Sequence, residues 1–271
     1  MTGEFGFRLL DTPVVVRSAS EEALQRVGAC YRGVDGAGEE ALAAAIEPDG
    51  EGWRVVVEGR PRVSAADLTA AVRALNHELM HALMVRHRHL FFVHAGVVAF
   101  GGRAIVLPGL SRAGKSTLVL ALVQAGAALL SDELLAYDPE AGLLRAFPRA
   151  VKVRDECVGY FPAFAGRFVG SGEGRFLPLG VLGDGGVAGS ARPGLVVAPR
   201  WDALGDDEPR PIRPGEGLLW LVRSALNFGS QRERSIDHLA ALAGQSRCFE
   251  LAWRDPHAAA RVLRERVEEV G

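Results

Sequence analysis

Lysine is nearly missing from this 271-residue chain: of its 31 basic residues only Lys115 and Lys152 are lysine, and the rest are arginine. Cysteine is as scarce. Cys30, Cys157 and Cys248 lie too far apart for a zinc ligand set or a disulfide framework. Charge of one sign is not in excess, and the formal net charge of −2 gives no footing for nucleic acid or an anionic membrane surface. No apolar run approaches the ~20 residues that cross a bilayer. The opening MTGEFGFRLL lacks a basic segment followed by a long apolar stretch, which argues against a secretory leader and for a cytoplasmic protein. What the chain does have is apolar material, 48% hydrophobic residues, enough to fill the core of one large domain or two small ones.

The lysine scarcity carries information. Arginine and lysine replace one another on solvated surfaces but not where a compact point charge is needed, so each lysine marks a candidate functional position.

Periodicity gives a mixed α/β order. Strands are expected at 13–17, 53–58, 90–100, 103–107, 127–130, 143–147, 151–154, 195–198 and 249–253. Helices are expected at 21–29, 39–46, 65–88, 115–125, 215–228, 235–243 and 256–269. In the long helix, capped by Ser64 or Asp67, Leu68, Val72, Leu75, Leu79 and Leu83 recur at helical spacing and define a buried face. Gly101-Gly102 joins the strands 90–100 and 103–107 as a hairpin. The stretch 165–192, rich in glycine and arginine, reads as a loop or flap.

The hairpin runs into Gly109-Leu110-Ser111-Arg112-Ala113-Gly114-Lys115-Ser116-Thr117, which satisfies G-x-x-x-x-G-K-[ST] between a strand and a helix. Each residue type has its own reason. Glycines let successive backbone N–H groups turn toward phosphate oxygens, and the helix N-terminus adds unpaired donors. Lys115 supplies a point charge for the β- and γ-phosphates, and Ser116 a hydroxyl for Mg²⁺. Asp132 and Glu133 follow the strand 127–130, where carboxylates suit Mg²⁺ coordination and proton abstraction from an attacking hydroxyl. Adjacent acids in an extended segment point to opposite sides, so the two are expected to have different jobs.

These residues, from His94 through GLSRAGKST to LLSDE, resemble the HPr kinase/phosphorylase family. The likeness is strongest to its short HPr-kinase-related P-loop serine kinases, within the wider phosphoenolpyruvate carboxykinase-like fold group, and covers about residues 90–155. It implies a mixed-sheet P-loop kinase domain over 63–271 with an N-terminal α+β extension over 1–62. It also implies ATP and Mg²⁺ as cofactors and transfer of a phosphoryl group to a serine-type hydroxyl of a peptide or protein. Short relatives are associated with peptide modification, which makes a precursor peptide a candidate acceptor. Position by position, His94 matches the active-site histidine, Lys115 the phosphate-binding lysine, Ser116 the Mg²⁺ hydroxyl, and Asp132 with Glu133 the acidic pair. The second acid is the proton acceptor in that scheme, and here it is a glutamate, one methylene longer. The block Phe147–Lys152 resembles a recurring segment of the short relatives and brings in Lys152, with Arg149 beside it as a phosphate or substrate contact. No counterpart of the family's later Mg²⁺-binding glutamate and glycine run is present, which argues against phosphorolysis and against HPr as the substrate.

In this scheme Ser116 and Asp132 hold Mg²⁺, Glu133 takes the proton, and His94, whose charge would change near neutral pH, tunes that carboxylate or touches the γ-phosphate. Two other functions compete: a kinase of a small hydroxylated metabolite, and a nucleotide-binding switch without transfer. The partners expected are a hydroxyl-bearing peptide or protein, no nucleic acid and no membrane, with a homo-oligomer left open.

His77-Glu78-Leu79-Met80-His81 also matches H-E-x-x-H, the zinc protease pattern. Neither His87 nor His89 stands at a protease third-ligand spacing, so the segment reads as an amphipathic helix. Farther on, Arg223 and Asn227 lie beside an apolar helical face (Trp220, Leu221, Ala225, Phe228) and are candidates to reach the nucleotide site.

Overall fold

Valine-rich alternation in the first sixty residues builds a sheet with one buried face. The computed structural model describes residues 2–31, 40–109, 112–170, 175–182, 186–231 and 234–270. It divides into two units, residues 1–88 with 178–180, and 89–177 with 181–271.

The first unit is a five-stranded sheet in the order β1-β2-β3-β4-β5: β1 (Gly3–Leu9), β2 (Thr12–Ser18), β3 (Leu42–Asp49), β4 (Gly52–Val57) and β5 (Val63–Ala65). All neighbours are antiparallel except β2 and β3, which are joined across α1 (Glu21–Cys30). Val14 and Val16, Leu42, Ala44 and Ile46, and Val55 and Val57 alternate inward, as period-2 strands with one buried face must. Two expectations fail here. Residues 42–49 form β3 instead of a helix: the run Ala41–Ile46 favours a helix locally, but pairing on both sides with β2 and β4 overrides that preference. Glu39, the start of the expected helix, lies outside the described residues. Gly3–Leu9, given no element in the sequence reading, is the edge strand β1.

The helix α2 (Leu68–Arg86) is capped by Asp67, whose side chain accepts from Ala70 N at 2.7 Å. Leu75, Leu79 and Leu83 are fully buried, and α2 packs on β3, β4 and β5. The apolar face of this helix closes the first sheet, and the first unit accordingly runs to Arg88. Glu78 is buried and accepts from Arg60 Nε at 2.6 Å, while the His77 and His81 rings meet edge-on with centroids 4.5 Å apart. The H-E-x-x-H segment thus spends its glutamate on a guanidinium inside the first unit.

The second unit begins with the hairpin β6 (Phe91–Phe100) and β7 (Arg103–Pro108). Gly101 (φ 53°) and Gly102 (φ 80°) form its tip, where two successive positive φ values require residues without a Cβ penalty. Then come α3 (Lys115–Gln124), β8 (Ala128–Ser131), β9 (Leu134–Asp138), β10 (Leu143–Arg145), β11 (Val151–Lys152), β12 (Phe176–Leu177), β13 (Ser190–Trp201), β14 (Pro209–Pro211), α4 (Pro214–Arg223), α5 (Ser235–Gly244), β15 (Arg247–Trp253) and α6 (Pro256–Glu268). The main sheet runs β10-β9-β6-β7-β13-β15-β14, with β8 also on β6, and β7, β13 and β15 are mutually parallel. The fold is mixed α/β with mixed sheets.

Helices cover both faces. Phe91, Val93, Ala95 and Val97 of β6 share a core with Leu221, Leu239 and Leu242 of α4 and α5. The alternate face meets α3: a Cβ on Gly96 would lie 2.6 Å from Val119 Cγ2. Within 165–192, expected to be a loop throughout, residues 176–177 form β12, paired with β11, and β13 has begun by Ser190; residues 171–174 and 183–185 lie outside the described set.

Candidate nucleotide site

Parallel β7, β13 and β15 end on one edge of the sheet, the side where open α/β sheets place ligands. The glycine-rich segment that begins at Gly109 leaves β7 there. His94 of antiparallel β6 lies at the same edge, next to Ala95, which pairs with Pro108 at the end of β7. Ser131 ends β8 at that edge too, so Asp132 and Glu133 emerge beside the loop. His94, Asp132 and Glu133 line a cleft of about 600 Å³, with Arg112, Gly114, Lys115, Ser116 and Thr117 on its loop side. That volume falls within the roughly 300–1,000 Å³ of small-molecule sites.

Of the loop, Leu110 and Ser111 lie outside the described residues. Gly109 ends the β7 exit, and Gly114 takes φ +85° immediately before α3. A Cβ at Gly114 would lie 2.1 Å from the ring of Trp253, so a glycine is required by conformation and by packing together. Lys115 is buried and its Nζ donates to the Gly109 carbonyl at 2.7 Å, closing the loop on itself. Burial holds its pKa below the ordinary lysine value, with Asp132 opposing that shift.

The two acids have different surroundings. Asp132 is buried; its Oδ2 accepts from Ser116 Oγ and from Lys152 N, each at 3.1 Å. Among the described residues its Oδ1, which is buried, has no hydrogen-bond partner. Burial raises its pKa to about 6, opposed first by the Ser116 and Lys152 hydrogen bonds and then by Arg149 and Lys115. An orphaned carboxylate oxygen beside a hydroxyl, at the start of a helix carrying the loop lysine, is a donor set that suits a hard cation such as Mg²⁺. Glu133 points elsewhere: its side chain is 44% exposed and forms an ion pair with Arg149. Ser131 Oγ sets the bend by accepting from Glu133 N (3.3 Å) and Leu134 N (2.9 Å).

His94 Nδ1 lies 3.1 Å from the Glu133 carbonyl, which can only accept, so Nδ1 carries the proton and Nε2 keeps its lone pair. Burial first, then Lys115 and Arg149, lower its pKa to about 4. The imidazole is therefore neutral at neutral pH, contrary to the expectation of a charge change there. Two nearby cations and a dry environment decide this, and neither is visible in the sequence.

Lys152 has its backbone on Asp132 and its side chain at the cleft wall. Arg149, expected as a phosphate or substrate contact, is engaged by Glu133. Asn227 is not part of the site: it accepts from Phe92 N (2.9 Å) and donates to the Leu90 carbonyl (3.0 Å), covering the start of β6. Arg223 lies over the Trp220 ring at 5.6 Å. The sequence reading missed an aromatic wall of the cleft, formed by Tyr160, Trp201 and Trp253, with Cys157 nearby. Only Trp253, at the end of the strand expected at 249–253, stood at a strand end in the sequence, and nothing in the spacing of the three aromatics ties them to the loop.

No family model matches this chain, and no curated protein matches it. Among solved structures, it is similar to the HPr(Ser) kinase/phosphatase from Coxiella burnetii at 12% identity, over 66% of this chain and 91% of that one, with a TM-score of 0.38. At that level the likeness assigns no family.

Proposed function

We propose that this protein is an ATP- and Mg²⁺-dependent kinase that transfers the γ-phosphoryl group to a serine-type hydroxyl of a peptide or protein. One observation carries the reading: the G-x-x-x-x-G-K-S segment stands at a strand–helix junction with its serine on a buried carboxylate that has a free oxygen.

The roles follow from the surroundings of each group. Backbone N–H groups at the start of α3 and the Lys115 ammonium bind the phosphate tail, with the ammonium exchanging the Gly109 carbonyl for phosphate oxygens. Ser116 Oγ and Asp132 would hold Mg²⁺, which supplies charge neutralisation on the transferring phosphate. Glu133, exposed at the cleft and oriented by Arg149, accepts the proton of the incoming hydroxyl. Neutral His94 fixes the Glu133 backbone through Nδ1–H, so the carboxylate emerges at one position. An acid open to solvent favours a peptide or protein acceptor over a small metabolite, which would need an enclosed pocket.

Incubation with ATP, Mg²⁺ and candidate acceptor peptides, read by intact mass, tests this. The expected result is a gain of one phosphoryl group that Lys115→Ala abolishes. ATP binding without transfer to any acceptor would overturn the kinase and leave a nucleotide-binding switch.

A further inference from the structure

The cleft is divided by chemistry. Lys115, Ser116, Asp132, Glu133 and His94 enter it from the β6, β7 and β8 side. Trp201 and Trp253 enter from the other side; they are the last residues of β13 and β15 and are paired directly in the parallel register. The two indoles differ in exposure. Trp253 is 2% exposed and packs against Gly114, so it belongs to the floor of the loop. Trp201, also at the cleft, is left 52% exposed.

Tyr160 joins the same side. The turn that carries it (Asp155–Tyr160) is pinned where α6 begins, just beyond Trp253: His257 Nε2 donates to the Tyr160 carbonyl at 2.7 Å. The next residue, Phe161, is fully buried and meets the His257 ring edge-on. Tyr160 is thereby held at the cleft and is 37% exposed. Large flat side chains fixed by their backbone and left open at a cleft offer stacking area at little entropic cost.

We infer that Trp201 and Tyr160 form the seat of the nucleobase, which binds by stacking while the phosphate tail lies on the loop. The inference rests on the nucleotide reading above. A ligand with a polyanionic tail and a flat apolar head matches the two ends of the cleft in the order in which the strands present them. An acceptor peptide belongs at the opposite end, beside Glu133.

The test compares two ligands, ATP and inorganic tripolyphosphate, each with Mg²⁺, by titration calorimetry. Tripolyphosphate has the tail and lacks the head. Wild-type protein is expected to bind ATP more tightly. Trp201→Ala should weaken ATP by about 5-fold to about 150-fold, the range of one aromatic–base stack, and leave tripolyphosphate unchanged. Trp201→Phe, which keeps a flat ring, should retain most of the ATP affinity, and Tyr160→Ala should act in the same direction as Trp201→Ala.

Equal weakening of both ligands in Trp201→Ala would make the residue a structural support and overturn the seat. Unchanged ATP affinity, or an effect confined to the KM for an acceptor peptide, would overturn it too while leaving the phosphate loop in place. A wild-type protein that binds neither ligand would overturn the nucleotide reading itself.

Discussion

Replacing Asp132 by asparagine should stabilise the metal-free protein and remove its activity. Burial moves the pKa of this carboxylate from 3.8 to about 6. That displacement corresponds to about 3 kcal/mol of destabilisation once the group is ionised. The sign follows from the direction. A carboxyl raised in the folded state binds protons more tightly than in the unfolded chain, so its penalty is absent below about pH 4, grows as pH rises, and is complete above about pH 6. Asparagine keeps an acceptor for Ser116 Oγ and Lys152 N and carries no charge. Its amide N–H₂ would occupy the position of the orphaned Oδ1 and give back about 1–2 kcal/mol as an unsatisfied donor. A net gain of about 1–2 kcal/mol remains, or roughly 2–8 °C in Tm for a protein of this size. Urea and thermal unfolding with EDTA, as a function of pH, measure it. The variant should be more stable near neutrality, and that advantage should shrink and then reverse, to a deficit of about 1–2 kcal/mol, as the pH falls below about 4 and the wild-type penalty disappears while the unsatisfied amide remains. Magnesium with nucleotide should raise the Tm of the wild type and not of the variant. A variant less stable than wild type by the same amount at every pH would refute the reasoning, because the carboxylate would then be a structural partner, not a group held ready for a cation.

Glu133→Gln should keep ATP binding and lower transfer by about 10²–10⁴-fold, the usual range for a lost general base; near-wild-type transfer in a steady-state assay would move the base elsewhere, with His94 Nε2 next in line. Gly114→Ala should destabilise by about 2–5 kcal/mol, combining a left-handed backbone with overlap on the Trp253 ring. A loss below about 1 kcal/mol on urea unfolding would show that the ring yields. Cys157 is half-buried at the cleft while Cys30 and Cys248 are buried, so iodoacetamide should modify Cys157 first. ATP with Mg²⁺ should slow that reaction, and an unchanged rate would place the nucleotide away from this wall.

The local parts of the site were legible because they are local. Gly109–Thr117 encodes a turn followed by a helix within nine adjacent residues, and Gly101-Gly102 encodes a hairpin. The spacing of Leu75, Leu79 and Leu83 encodes the buried face of α2. Each depends only on backbone freedom or on period along the chain. The stretch 42–46 was misread for the complementary reason: its alanines favour a helix by themselves, and only the flanking strands β2 and β4 make it β3.

What the chain alone determined is an order of donors and charges: a glycine-rich segment, a lysine, a hydroxyl and two acids. The tertiary structure decided their protonation and their company. It buried Asp132 and left one of its oxygens without a partner among the described residues, kept His94 neutral between Lys115 and Arg149, and tied Glu133 to Arg149. It also brought Tyr160, Trp201 and Trp253, scattered over more than ninety residues, to the far wall of the cleft. Desolvation and proximity across strands are properties of packed space. No spacing along the chain carries them.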